Sequence, residues 1–121
     1  MHYTETFNTF VMERKIHTFG GYFEAFMETL TEDQRRKVNY GILLLKTENR
    51  LPTKFVKHIE DGIFELRTEY EGNIFRTFFI FDVGNIVVLF NGFHKKSQKT
   101  PISEIEKAKQ IKKAYYETTR K

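Results

Sequence analysis

The sequence contains no cysteine, and this absence excludes several kinds of chemistry. A disulfide framework, a zinc site with cysteine ligands and a thiolate nucleophile are all ruled out, and the composition suits a reducing compartment. The four histidines have no metal-ligand spacing, so we expect no metal site and no cofactor. These observations lead us to expect a protein of the cytoplasm.

The sequence also lacks long apolar runs and the common catalytic motifs. Its longest apolar stretches, residues 42–45 and 86–90, are far shorter than the roughly 20 residues of a membrane span. The first ten residues have no basic start, apolar run or cleavage site of a signal peptide. No glycine-rich phosphate loop and no G-x-S-x-G motif is present. With 121 residues, 40% of them hydrophobic, we expect one globular domain over residues 1–121 and no membrane contact.

Positive charge is concentrated at the C-terminal end of the sequence. Residues 1–90 carry eleven Lys and Arg against thirteen Asp and Glu, whereas residues 91–121 carry nine against three. A basic segment of this kind is either an electrostatic footprint for nucleic acid or an acidic partner, or simply a solvated lysine-rich helix. Charge by itself leaves both interpretations open.

The first half of the chain predicts a pair of helices. Phe23, Phe26 and Leu30 recur at helical spacing, which predicts a short helix over residues 22–30. Thr31 and Gln34 have the form of a capping box, which predicts a second helix ending near residue 48. We expect a strand over residues 6–14, a break over residues 16–21 and an irregular connection over residues 53–61.

The second half predicts three strands and a helix. Residues 63–70, 74–81 and 86–91 are rich in aromatic and β-branched residues and are separated by short turns, so they should form an antiparallel meander. A basic loop over residues 91–101 should follow. Ser103 and Glu106 form a second capping-box pattern, which predicts the start of a final helix.

Alternation assigns the residues of the meander to two faces. The face expected to carry the helices contains Phe64, Leu66, Phe75 and Phe79. Arg67 and Arg76 should then share the other face, which we expect to be open. The alternative is that these arginines have a structural role and pair with Glu65 or Glu69.

Guanidinium and ammonium groups on a sheet suit RNA backbone cleavage. The attacking nucleophile in that reaction is the substrate's own 2′-hydroxyl, so the protein must orient the nucleotide and neutralise charge on the phosphate. Phe93 could stack on a base or belong to the core. His94, beside the lysines, is either a general acid or base or a bystander.

Four stretches together resemble a known family. They are DGIFELR, the arginine strand NIFRTFFIF, the run VVLFNGFHKKSQKTP and the downstream EIEKAKQIKKAYY. This combination is similar to the HigB-type, phage-derived branch of the RelE/ParE toxin superfamily, over about residues 50–117. The sequence departs from the branch's usual pattern at Ser97.

The resemblance implies an α+β, RelE-like fold, with an N-terminal helical hairpin packed on a twisted, mainly antiparallel sheet, a basic loop and a C-terminal helix. It implies the toxin of a type II toxin–antitoxin pair, usually a ribosome-dependent mRNA endonuclease (an mRNA interferase). The implied partners are a helix-turn-helix antitoxin, the ribosome and mRNA. A gyrase-targeting poison on the same fold and an inactive antitoxin-binding relative are the alternatives.

The resemblance also implies roles for individual residues. Arg67 and Arg76 correspond to the family's phosphate and transition-state groups. Lys95 corresponds to its lysine loop, which contacts the RNA backbone, and Lys95 and His94 are added as catalytic candidates, His94 as an acid or base. The RNA-binding candidates are Lys57, Lys96, Lys99 and Phe93, whereas Glu65 would orient an arginine. The acid–base tyrosine or histidine of some relatives has no secure counterpart, so Tyr115 and Tyr116 join His94 as candidates.

Overall fold

The computed structural model describes residues 13–95 and 99–119, and these form a five-stranded sheet with helices on both faces. The strands are β1 (Lys15–Thr18), β2 (Val56–Glu60), β3 (Ile63–Tyr70), β4 (Asn73–Asp82) and β5 (Ile86–Lys95). The helices are α1 (Tyr22–Glu28), α2 (Glu32–Thr47) and α3 (Ile102–Thr119). The strand order is β1-β5-β4-β3-β2, with β1 parallel to β5 and every other pair antiparallel. The expected α+β architecture and the meander are confirmed.

Local sequence chemistry fixes the start of α2 as predicted. The Thr31 hydroxyl accepts a hydrogen bond from the Gln34 backbone N–H at 3.2 Å, and the Gln34 side chain accepts one from the Thr31 N–H at 2.9 Å. This reciprocal capping box satisfies two backbone donors that the first helical turn leaves free. The helix ends at Thr47, close to the predicted position.

Two-residue turns connect the strands on either side of β3, and a register shift between His58 and Glu60 then changes the pairing of β2 with β3. Asp61 and Gly62 connect β2 to β3, whereas Glu71 and Gly72 connect β3 to β4. All four residues have positive φ, between 49° and 80°, as a type I′ hairpin turn requires. A glycine at the second position tolerates that conformation without a Cβ clash.

The sheet separates two apolar cores. On one face α1 and α2 pack against β3, β4 and β5, with Phe23, Phe26 and Val38 meeting Leu66, Phe75 and Phe79. On the other face α3 contributes Ala108 and Ile111 to a cluster with Ile63, Phe78, Ile80, Val88 and Phe90. The expected seat of the first two helices is confirmed. We had expected the second face to be open. It is covered along part of its length, because the apolar stripe of α3 is buried against it.

Four sequence-based boundaries need correction. Residues 56–60 form the edge strand β2 instead of an irregular connection, and residues 15–18 form β1 where a break was expected. Strand β5 continues to Lys95, which removes Phe93, His94 and Lys95 from the predicted loop. Helix α3 begins at Ile102, so Ser103 lies inside it and is not its cap. The strand predicted over residues 6–14 falls almost wholly outside the described residues.

A β-bulge in β5 changes which side chains face each core. Thr77 is opposite Gly92 and Phe79 is opposite Leu89, so β5 advances three residues where β4 advances two. Such an extra residue reverses the alternation beyond the bulge. Gly92 lies against Phe26 of α1 so closely that an added Cβ would stand 2.3 Å from the Phe26 ring. The close approach of α1 therefore favours glycine immediately after the bulge.

Candidate functional site

The two strand arginines lie side by side on the face that carries α3. Arg67 of β3 and Arg76 of β4 are direct cross-strand partners, so their side chains leave the sheet on the same face. The Arg67 side chain is 26% exposed, whereas that of Arg76 is 11% exposed. Their common face was predicted from alternation, and the register confirms it.

Both arginines are paired with glutamates of β3. Arg76 Nη1 lies 2.9 Å from Oε1 of Glu65, whose side chain is 2% exposed. Arg67 Nη2 donates a hydrogen bond to Oε1 of Glu69 at 3.1 Å, in a partly exposed pair. The pairing of these arginines with Glu65 and Glu69, which the sequence offered as the structural alternative, is therefore present. It does not remove these arginines from a site, because paired guanidinium groups have fixed positions and further N–H donors.

A second partner holds the other oxygen of the Glu65 carboxylate. The Thr100 hydroxyl donates to Oε2 at 2.9 Å, from the segment that leads into α3. Each carboxylate oxygen of this buried side chain therefore has one partner among the described residues. Sequence reasoning missed Thr100, and only the T-P step at the end of the basic loop marked its position.

Three rows of side chains across the strands describe the site. Taken in order, the rows are Lys57, Glu65 and Phe78; Arg67, Arg76 and Phe93; and Glu69, Ile74 and Lys95. Direct cross-strand partners share a face, so all of these side chains leave the sheet on the α3 side. The four cations in these rows form a diagonal across the sheet from β2 to β5, in the order Lys57, Arg67, Arg76 and Lys95. The usual strand spacing and rise give this diagonal a length of about 20 Å.

Lys95 and Arg76 influence each other electrostatically. Burial is the largest cause of the lowered pKa of Lys95, and repulsion from Arg76 lowers the pKa further, against the attraction of Glu65. Burial also lowers the pKa of Arg76, whereas the carboxylate of Glu65 raises it and Arg67 lowers it. The cluster therefore has an excess of positive charge that an anionic ligand would relieve.

The bulge in β5 places His94 away from the arginines. His94 is opposite Phe75, and the two rings are 5.0 Å apart on the face that carries α1 and α2. Phe93 is opposite Arg76 on the α3 face, where it is 9% exposed and lies 5.4 Å from the Phe78 ring. Phe93 therefore belongs to the core. His94 lies on the opposite face of the sheet and cannot reach a phosphate held by both arginines.

The tyrosines of α3 also lie away from the arginines. The Tyr115 hydroxyl donates a hydrogen bond to Oδ2 of Asp82, at the far end of β4 from Arg76. Burial and this hydrogen bond raise the pKa of Tyr115 to about 12. The rings of Tyr115 and Tyr116 are 5.2 Å apart in one aromatic cluster. Six residues of strand, about 20 Å, separate Asp82 from Arg76, so the cluster is not part of the cationic site.

The remaining lysine candidates are Lys57, Lys96 and Lys99. Lys57 is exposed on the edge strand β2 and is the cross-strand partner of Glu65. Lys99 is exposed and immediately precedes Thr100. Lys96 lies outside the described residues. The structure therefore brings Lys57, Arg67, Arg76 and Lys95 together on one face around Glu65.

Two hollows lie outside this cluster, and sequence reasoning found neither. The larger, with a volume of about 490 Å³, opens between α2 and the segment before β2, over an apolar floor that includes Leu45 and Leu66. Arg67 lies at its rim and so borders both the hollow and the cationic cluster. The smaller hollow, of about 340 Å³, is lined by His94, Asn91 and Lys107 beside α1.

The described residues contain no group of three or more His, Cys, Asp or Glu side chains that could hold a metal ion. None of the helices in residues 13–95 and 99–119 is both long enough and apolar enough to cross a membrane.

Residues 25–113 match the model of the phage-derived protein Gp49-like family. This match covers well over half of the chain, and the protein belongs to that family. The family is part of the RelE/HigB toxin-like group, which is associated with toxin–antitoxin systems. A comparison with curated proteins found no match. The matched region contains every strand of the meander and all four cations of the diagonal.

Proposed function

We propose that this protein is the toxin of a type II toxin–antitoxin pair and a ribosome-dependent mRNA endonuclease of the cytoplasm. The observation that carries the proposal is the diagonal of Lys57, Arg67, Arg76 and Lys95 across one face of the sheet. A line of cations on a rigid surface suits a polyanionic strand, and two adjacent guanidinium groups suit the oxygens of one phosphate.

The proposed reaction uses the 2′-hydroxyl of the RNA as the nucleophile. A bond forms between the 2′-oxygen and the adjacent phosphorus, while the bond between phosphorus and the 5′-oxygen of the next nucleotide breaks. The 2′-hydroxyl proton passes to water, and the products are a 2′,3′-cyclic phosphate and a 5′-hydroxyl end. Arg67 and Arg76 stabilise the negative charge that accumulates on the phosphate in the transition state.

Lys95 is our candidate for protonating the departing 5′-oxygen. It lies on the arginine face, one row beyond Arg76, whereas His94 and the α3 tyrosines lie elsewhere. Its lowered pKa makes the ammonium a stronger acid than an ordinary lysine. After cleavage, the neutral amine takes a proton from water and the cycle closes.

The other site residues bind and orient. Lys57 and Lys99 are exposed and suit contacts with the RNA backbone, while Lys96 is retained in that role on the strength of the family resemblance alone. Glu65 holds Arg76, and its burial, with the side chain 2% exposed, keeps the carboxylate from reaching the RNA as a base. The proposed protein partner is a helix-turn-helix antitoxin that neutralises the toxin.

The test is cleavage of mRNA on programmed ribosomes by purified protein, with primer extension to locate the cut. Arg67→Ala should reduce the rate on the order of a hundredfold, because it removes a charged donor from the transition state. Arg36→Ala is the matched control, since Arg36 is an exposed arginine of α2 paired with Glu32 and Asp33. It should cleave at the wild-type rate.

Three results would each count against the proposal. Equal activity of Arg67→Ala and the wild type would show that the cationic face is not the site. Intact mRNA together with DNA damage after induction would favour the gyrase-poison alternative. Absence of both effects and of growth arrest would favour the inactive antitoxin-binding relative.

A further inference from the structure

We propose that Thr100 is a positioning residue, whose hydroxyl fixes the Glu65 carboxylate that in turn holds Arg76 in place. This inference rests on the proposed RNA cleavage for its kinetic consequences. The geometry stands independently of that activity, because it involves only contacts within the protein.

The Glu65 carboxylate is isolated from solvent. Its side chain is 2% exposed and lies in the row of Phe78, next to the apolar cluster of α3. A carboxylate in such a place must find partners within the protein, because water does not solvate it. Arg76 supplies one at Oε1 and Thr100 supplies one at Oε2, each at 2.9 Å.

The Arg76 guanidinium is held by its contact with Glu65. Among the described residues, the Nε of Arg76 is buried without a hydrogen-bond partner. The neighbouring Arg67 repels the guanidinium, whereas Glu65 attracts it. The Glu65 carboxylate therefore supplies an ion-pair contact that holds the buried Arg76 guanidinium in place.

Thr100 lies two residues before the start of α3. It precedes Pro101, whose carbonyl accepts hydrogen bonds from the Glu104 and Ile105 N–H groups in the first turn of α3. The hydroxyl of Thr100 therefore acts from a fixed point at the base of a helix. Loss of this bond would let the carboxylate rotate about its side-chain torsions and carry Arg76 with it.

A purely structural tether between α3 and the sheet is the competing explanation, and the chain offers a matched control for it. The Asn91 amide donates to the Glu104 carboxylate at 3.1 Å, which ties the same helical turn to β5 without touching Glu65. Thr100→Val removes the positioning bond. Glu104→Ala removes the side-chain bond to Asn91 and leaves only the 3.3 Å bond from the Asn91 amide to the Glu104 carbonyl oxygen. Thr100→Ser keeps the hydroxyl and should restore the wild-type properties.

The kinetic experiment compares these variants on programmed ribosomes. Thr100→Val should lower kcat ten- to a hundredfold with little change in KM, because a misplaced Arg76 fails mainly in the transition state. Glu104→Ala should leave kcat unchanged, whatever its effect on Tm. In a Glu65→Ala background, Thr100→Val should have no further effect on kcat, since the two residues act through one contact.

Two kinetic outcomes would overturn the proposal while leaving the endonuclease function intact. One is an unchanged kcat for Thr100→Val with a Tm loss equal to that of Glu104→Ala, which is the behaviour of a tether. The other is a full additional loss of kcat in the Glu65→Ala background, which would mean that Thr100 acts directly on RNA.

If the wild type does not cleave RNA, the proposed function is rejected but the positioning role of Thr100 is not. A spectroscopic measurement then tests that role directly. The ¹⁵N signals of the Arg76 guanidinium should shift or broaden in Thr100→Val and stay in place in Thr100→Ser and Glu104→Ala. Signals that remain unchanged in Thr100→Val would overturn the positioning role, whatever the activity of the protein.

Discussion

Arg76 and Glu65 form an ion pair at 2.9 Å between Nη1 and Oε1, with the glutamate side chain 2% exposed and the arginine 11% exposed. Desolvation makes such a pair costly to form, but removing one partner is more costly still, because a charge stays buried alone. This one contact therefore affects both the position of Arg76 and the stability of the sheet.

Arg76→Ala should destabilise the protein by about 3–5 kcal/mol, because it leaves the Glu65 carboxylate without its ionic partner. Urea unfolding at pH 7 measures the loss. Replacing both members by apolar residues, Glu65→Leu with Arg76→Met, should recover much of it. Arg36→Ala on the exposed face of α2 should change stability by less than about 0.5 kcal/mol. A small loss for Arg76→Ala would mean that Glu65 finds another partner.

His94→Ala should leave the cleavage rate within about twofold of wild type. Loss of a general acid would instead lower the rate by about a hundredfold or more. The reason is the bulge in β5, which places the ring against Phe75 and away from Arg76. Single-turnover cleavage on programmed ribosomes is the measurement. A loss of a hundredfold or more would contradict the assignment and return His94 to the catalytic candidates.

The cleavage rate should fall at high pH as Lys95 loses its proton. A general acid works in its protonated form, so activity is present below the pKa of Lys95 and is lost as the pH rises through it. Because burial and Arg76 lower that pKa, the fall should begin below the usual range of lysine.

Lys95→Arg keeps the positive charge but does not titrate in this range, so it should lack this alkaline fall and cleave about 10²- to 10⁴-fold more slowly. Lys113→Ala, on the exposed surface of α3, should keep the wild-type profile. An alkaline fall that persists in Lys95→Arg would assign proton donation to another group.

Tyr115 should make stability depend on pH between about 10 and about 12. Its folded pKa is raised to about 12 by burial and by the Asp82 hydrogen bond. The unfolded tyrosine ionises first, so the stabilisation is present below pH 10 and is lost as the pH rises toward 12. Urea unfolding at pH 9 and pH 11 should show a smaller decrease for Tyr115→Phe than for wild type. Equal decreases would contradict the raised pKa.

Much of the fold follows from local features of the sequence. The Thr31 and Gln34 capping box, the Glu71 and Gly72 turn and the apolar alternation of β3 and β4 each act over a few residues, so they can be recognised without a structure. The edge strand β2 was missed, although Asp61 and Gly62 are a hairpin signal that could have identified it.

From the sequence by itself, alternation within β3 and β4 predicted that Arg67 and Arg76 share a face, and the observed register confirms it. Only the tertiary structure decided which neighbours join them. The bulge in β5 reversed the alternation, bringing Lys95 to the arginines and taking His94 away, and the approach of α3 brought Thr100 to Glu65 across 35 residues. Those outcomes depend on packing between distant segments, which local sequence chemistry does not encode.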